Sequence, residues 1–131
     1  MPAISIDQLA VGYEFPSTSY ELSKSVIGKY LEAVGGQQHF LTEGIVPPLA
    51  MAAYAMTALS QSFSVPKGAI HAAQELEFLK SVPIGTTISC SGKVVQKVQR
   101  GPLYLLVLEI NALNQDKEKV LSGKATVAVP V

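Results

Sequence analysis

The chain has 131 residues, with ten acidic and ten basic side chains and a formal net charge of zero. Its lysines are scattered rather than clustered, so no basic face is offered and no nucleic-acid partner is expected. Apolar residues make up 48% and charged residues 15%, against the ~25% charged of an average globular protein. That deficit points to apolar surface hidden in a partner or in a second copy.

The length fits one domain over residues 1–131. Cys90 is the sole cysteine, which excludes an internal disulfide and a cysteine-based metal site and suggests a reducing, cytoplasmic setting. The opening MPAISIDQLA has neither the basic nor the apolar region of a signal peptide. The longest apolar run, Val46 to Ala58, is interrupted by prolines and a threonine. It is too short to span a bilayer, so no membrane partner is expected.

In chain order, Phe15 to Leu22 reads as a first strand with Tyr20 and Leu22 on one face. Ser23 is placed as an N-cap, its hydroxyl accepting from free backbone N–H groups. Val26, Ile27, Tyr30, Leu31 and Val34 recur at helical spacing, which predicts a helix over Lys24–Val34. Gly35-Gly36 ends it, since glycine takes the left-handed conformation cheaply. Residues 37–46 read as a polar loop carrying His39 and Glu43.

Pro47-Pro48 opens a second helix, where missing N–H groups cost nothing. Its sequence LAMAAYAMTALSQSF is apolar nearly all round, so burial on most sides is expected. Four strands follow. Over Ile70–Leu79, alternation puts Ile70, Ala72, Leu76 and Phe78 on one side and His71, Glu75 and Glu77 on the other, with Gln74 interrupting the apolar face. Thr86–Val98, Leu103–Leu113 and Val120–Val129 complete the set, with turn chemistry over Asn114–Lys117. The expected architecture is α+β: an antiparallel sheet wrapped around a buried central helix. Its exposed edge predicts a dimer.

The pieces YLEAVGG, VPP at the start of the buried helix, GAIHAAQELEFLKSVPIGTTI and the closing LSGKATVAVPV follow in this order. Together they resemble the MaoC-like dehydratase and (R)-specific enoyl-CoA hydratase family of hotdog domains. Within it they are most similar to the dehydratase half-domain of fatty-acid synthases and to hetero-dimeric hydroxyacyl-carrier-protein dehydratases. The resemblance runs from about Gly12 to Val129. It implies action on acyl-CoA or acyl-carrier-protein thioesters in fatty acid metabolism, interconverting 3-hydroxyacyl and trans-2-enoyl forms. It also implies an acyl chain lying along the buried helix near a homodimer or heterodimer interface, and no metal or redox cofactor.

Such a hydration needs a base to activate water, an acid to protonate the α-carbon, and donors to the thioester oxygen. Active members of the family carry a motif like Gly-Asp-x-Asn-Pro-x-His. Here the same place reads Gly36-Gln37-Gln38-His39-Phe40-Leu41-Thr42. Gln37 stands at the Asp position and Thr42 at the His position, and neither titrates near neutral pH. The family's proton-transfer roles do not carry over to them.

His39 and Glu43 lie close by, and their i, i+4 spacing would put them on one face if the loop is helical. A displaced dyad is one reading; two solvated loop residues is the plainer one. His71 stands on a strand whose counterpart in the family often bears His, bordering the thioester pocket or the dimer interface; a hydrogen-bonded structural role is the alternative. Glu75 and Glu77 resemble paired carboxylates, which an exposed sheet face explains more simply. The N–H groups of Leu49 and Ala50, at the start of the buried helix, are candidate holders of a thioester carbonyl. Nothing near Cys90 in sequence would lower its pKa, so it reads as inert.

Three functions fit: a self-sufficient hydratase or dehydratase with a displaced dyad, a non-catalytic acyl-binding subunit whose hotdog partner supplies Asp and His, and a hotdog thioesterase using Glu43.

Overall fold

The computed structural model describes residues 4–36 and 39–131. Its elements are β1 (Ile4–Ser5), a 3-10 turn (Ile6–Gln8), β2 (Glu14–Glu21), α1 (Lys24–Val34), α2 (His39–Glu43), α3 (Pro48–Ser60), β3 (Phe63–Ser64), β4 (Ile70–Phe78), β5 (Thr87–Arg100), β6 (Leu103–Leu113) and β7 (Lys119–Pro130). β1 and β3 form a short parallel pair. The other five strands form one sheet in the order β2-β5-β6-β7-β4, antiparallel throughout, so β2 and β4 are its edges.

Local chemistry sets the helices. The Ser23 hydroxyl accepts from the Val26 N–H at 3.2 Å, which caps α1. Gly35 closes the helix at φ 66°, a conformation that costs glycine little. Ile27 and Leu31 form its buried stripe. In α3 the buried side chains are Ala50, Met51, Ala52, Ala55, Ala58 and Leu59. Four of these six are alanines, so the sheet backbone approaches the helix closely. Opposite them, Leu106, Leu108 and Ile110 of β6 are fully buried, each contributing roughly 1.5–3 kcal/mol by removal from water.

The curl of the sheet depends on two glycines. Gly92 and Gly123 both pair with Ile110, from opposite sides. A Cβ on Gly92 would collide with the Glu109 carbonyl oxygen, and one on Gly123 with the Glu75 carbonyl oxygen. Only residues without a side chain let the strands bend this tightly around α3.

Coverage of the sheet is uneven. α3 packs chiefly on β5, β6 and β2, whereas every β4 residue except Leu76 is exposed. The helix is also less enclosed than its composition suggests: Leu49, Ala53, Thr57 and Ser60 form an exposed stripe along its outer side. The sheet covers one face of α3 and leaves the other open. No helix among the described residues is long and apolar enough to cross a membrane.

Candidate functional site

The strand carrying His71 departs from simple alternation. His71 pairs with Val127 and Ala73 with Thr126, so Ala72 is an extra residue in a β-bulge. A bulge shifts the phase of every side chain beyond it. Paired residues share a face, so His71, Gln74, Leu76 and Phe78 lie with Val127, Ala125, Gly123 and Leu121 on the concave, helix-side face. Ala73, Glu75 and Glu77 lie on the convex face with Thr126, Lys124 and Ser122. The expected grouping of His71 with Glu75 and Glu77 is therefore corrected: His71 joins Gln74, Leu76 and Phe78 on the concave face. The imidazole Nε2 stands 2.9 Å from Gln74 Oε1. The Gln74 amide donates in turn to the Glu75 and Lys124 carbonyls at 3.0 and 3.1 Å.

His71 lines an open cleft of about 270 Å³ between the C-terminal half of α3 and the β7–β4 part of the sheet. Met56, Leu59, Phe63, Leu108 and Val127 give it an apolar wall, and Ser60 is a further polar residue of its lining. An apolar trough with one or two polar groups suits a hydrocarbon chain with a polar end.

The other candidates lie on α2 and in the first turn of α3. Residues 39–43, expected as loop, form the helical turn α2, which puts His39 and Glu43 on one face. Both are exposed. The His39 ring leans on Phe40 with centroids 4.3 Å apart. Among the described residues the ion pair formed is Lys80–Glu118, and His39 and Glu43 form none with each other. Thr42 is exposed on the same turn; Gln37 lies outside the described residues. At the start of α3, the Ala50 N–H donates to the Pro47 carbonyl at 2.9 Å. Pro47 and Pro48 have no N–H. Leu49 is 62% exposed and supplies the first N–H free to donate to a ligand at that terminus. The structure thus puts Leu49 and Ala50 in the first turn of α3 and His39, Thr42 and Glu43 on the helical turn that precedes it in the chain. It sets His71 roughly 10–16 Å away along the helix, by the rise per residue from Leu49 to Met56–Ser60.

Two further groups sit under the helix. Tyr20 packs its ring 5.1 Å from that of Tyr54, and its hydroxyl is buried with no hydrogen-bond partner among the described residues. Burial, then the neighbouring Cys90 and Tyr54, raise its pKa. Cys90 is buried, and that burial pushes its thiol up to about 11. It is a protonated, inaccessible thiol at neutral pH.

No protein-family model and no curated protein sequence matches the chain. Solved structures do. The (R)-hydratase from A. caviae involved in PHA biosynthesis is similar at TM-score 0.76 and 19% identity, over 94% of this chain and 98% of that one. The MaoC-like dehydratase from Rhodospirillum rubrum gives 0.77 and 20%, over 98% and 97%. The chain has the hotdog fold. A chain of the HadBC 3R-hydroxyacyl-ACP dehydratase complex from Mycobacterium tuberculosis is similar at 0.69 and 16%, over 90% and 96%; that neighbour is a complex of two hotdog chains.

Within this hotdog sheet, sequence reasoning missed the wall of the cleft. Met56, Phe63 and Val127 read only as core residues along their own elements. Their convergence on His71 depends on strand order, which periodicity does not encode.

Proposed function

We propose that the protein is one hotdog domain over residues 1–131 that binds acyl-CoA or acyl-carrier-protein thioesters, of the enoyl hydratase and 3-hydroxyacyl dehydratase type. We place it in cytoplasmic fatty acid metabolism. The cleft beside His71 carries this reading. Its apolar wall takes the acyl chain, and α3 runs from there to the Leu49 N–H, where a thioester oxygen would find a donor and the positive end of a helix dipole. His71, fixed by Gln74, borders the chain. The protein acts as the acyl-binding subunit, and a hotdog partner supplies the acid and the base. The exposed, uncoupled His39 and Glu43 support that division of labour, since a general base needs its proton donor within hydrogen-bond reach.

The test is binding of a series of saturated acyl-CoAs by the isolated chain, followed calorimetrically. Affinity should rise with chain length until the cleft is filled, and Val127→Trp should abolish the rise. Equal affinity for CoA and every acyl-CoA would overturn the reading.

One observation favours a second reading: the helical turn α2 puts His39 and Glu43 on one face. If these act as a displaced dyad, the chain alone hydrates crotonyl-CoA and His39→Ala removes the activity. Turnover unchanged in that variant ends this reading.

A further inference from the structure

Among the described residues, two polar side chains line the cleft, His71 and Ser60. In both, the donating group is already used. Ser60 gives its hydroxyl proton to the Thr57 carbonyl one turn back, at 3.1 Å. His71 is set by Gln74. The Gln74 amide commits its two protons to backbone, at 3.0 Å to the Glu75 carbonyl and at 3.1 Å to the Lys124 carbonyl of β7. Turned over, that amide would set its oxygen against two carbonyl oxygens, so Oε1 is the atom that meets the imidazole. An amide oxygen only accepts. Nε2, 2.9 Å away, therefore carries the proton. In a neutral imidazole one nitrogen donates and the other accepts, which leaves Nδ1 bare. No hydrogen bond reaches Nδ1 or the lone pairs of Ser60 Oγ from any described residue.

The polar side chains of the cleft thus offer a ligand acceptors and no donor. A purely hydrocarbon chain would cover those acceptors and leave them unpaired, which is costly. A ligand carbonyl or carboxylate would set lone pairs against lone pairs. A hydroxyl supplies the missing proton.

Its place on the chain follows from distance. A 3-hydroxyl is three bonds from the thioester carbon, no more than about 4.5 Å at roughly 1.5 Å per single bond. The His71 end of the cleft lies roughly 10–16 Å along α3 from the Leu49 N–H. An extended chain advances about 1.3 Å per bond, because bonds of that length zigzag, so the separation corresponds to roughly eight to twelve carbons.

We infer that the cleft selects acyl thioesters whose chain carries a hydroxyl far from the thioester, which donates to His71 Nδ1. The inference rests on the acyl-binding reading above and names the substrate class. His71 is the specificity-determining residue, and Gln74 is a positioning residue that holds its tautomer.

The experiment compares four ligands on the full chain by calorimetry, at about pH 8, where an ordinary imidazole is neutral. 10-Hydroxydecanoyl-CoA should bind about tenfold or more tighter than decanoyl-CoA, and tighter than 9-oxodecanoyl-CoA, whose distal oxygen only accepts. 3-Hydroxydecanoyl-CoA should show no such advantage. In His71→Phe the distal-hydroxy and unsubstituted chains should bind alike, within about twofold; a merely structural histidine would leave their ratio where it was. Nitrogen-15 NMR of the His71 ring tells the two tautomers apart and keeps the test open if the variant misfolds. The free protein should show Nε2–H with a bare Nδ1, and the Nδ1 resonance should move with 10-hydroxydecanoyl-CoA and not with decanoyl-CoA. An Nδ1–H tautomer, or equal affinity for the distal-hydroxy and unsubstituted chains, would overturn the inference. If acyl chains bind and the hydroxyl brings no advantage, the inference alone falls. If no acyl-CoA binds better than CoA itself, the acyl-binding reading falls and takes the inference with it.

Discussion

The two halves of the sheet share one backbone geometry and differ in almost everything else. Over β2, β5 and β6 the helix seals the concave face, and Leu106, Leu108 and Ile110 are lost to solvent entirely. Over β4, and beside Val127 of β7, the same face stands open, with His71 exposed and Phe78 39% exposed. One half holds the fold together. The other is left free to hold something else, and it is there that His71 and the cleft are found.

The largest expected effect breaks the covered half. Leu106→Ala should lower unfolding free energy by about 2–5 kcal/mol, the cost of a core truncation, read from urea midpoints. Gly123→Ala tests the junction of the halves: its methyl would meet the Glu75 carbonyl, and about 1–3 kcal/mol of overpacking cost is expected. If that substitution is silent, the tight curl around α3 is not required. Tyr20→Phe removes a buried hydroxyl without a partner. It should leave stability unchanged or raise it by up to about 1 kcal/mol, since an unpaired buried polar group is costly. In the open half, Ile70→Ala should change stability by no more than about 0.5 kcal/mol; a loss of the size seen in the core would erase the distinction between the halves.

The smallest effect is electrostatic. The hydrogen bond from Lys80, then that from Asn114, holds the exposed Glu118 carboxyl below its ordinary range. Its folded-state pKa is therefore depressed. The contribution is present above the unfolded value and is lost as pH falls through the folded one. Glu118→Gln should slightly flatten the acid limb of a stability–pH profile.

The elements that follow from local chemistry were legible. Ser23 and Gly35 bracket α1, the Asn114–Lys117 turn closes with the Glu118 N–H donating to Asn114 Oδ1 at 2.9 Å, and the strands of the C-terminal half lie where alternation puts them. What escaped depends on partners distant in sequence. Ala72 and Ala73 look alike, so nothing marks which one is extra, and the face of His71 could not be read. Glycine inside a strand signals weakness; at Gly92 and Gly123 it is the condition for the curl. α3 is apolar on all sides, so composition could not say which side the sheet would leave bare. That neither Gln37 nor Thr42 carries a side chain able to take up a proton near neutral pH was plain from the sequence alone, whereas the cleft emerged only from strand order.

The carboxylates of β4 have a consequence for the life of the chain before it meets any partner. A bare nine-residue strand without proline is a template for runaway strand addition. Acidic side chains repeated along it act as gatekeepers, because stacking identical copies would stack like charges. Glu75 and Glu77 thus act against strand-on-strand polymerisation of the free chain.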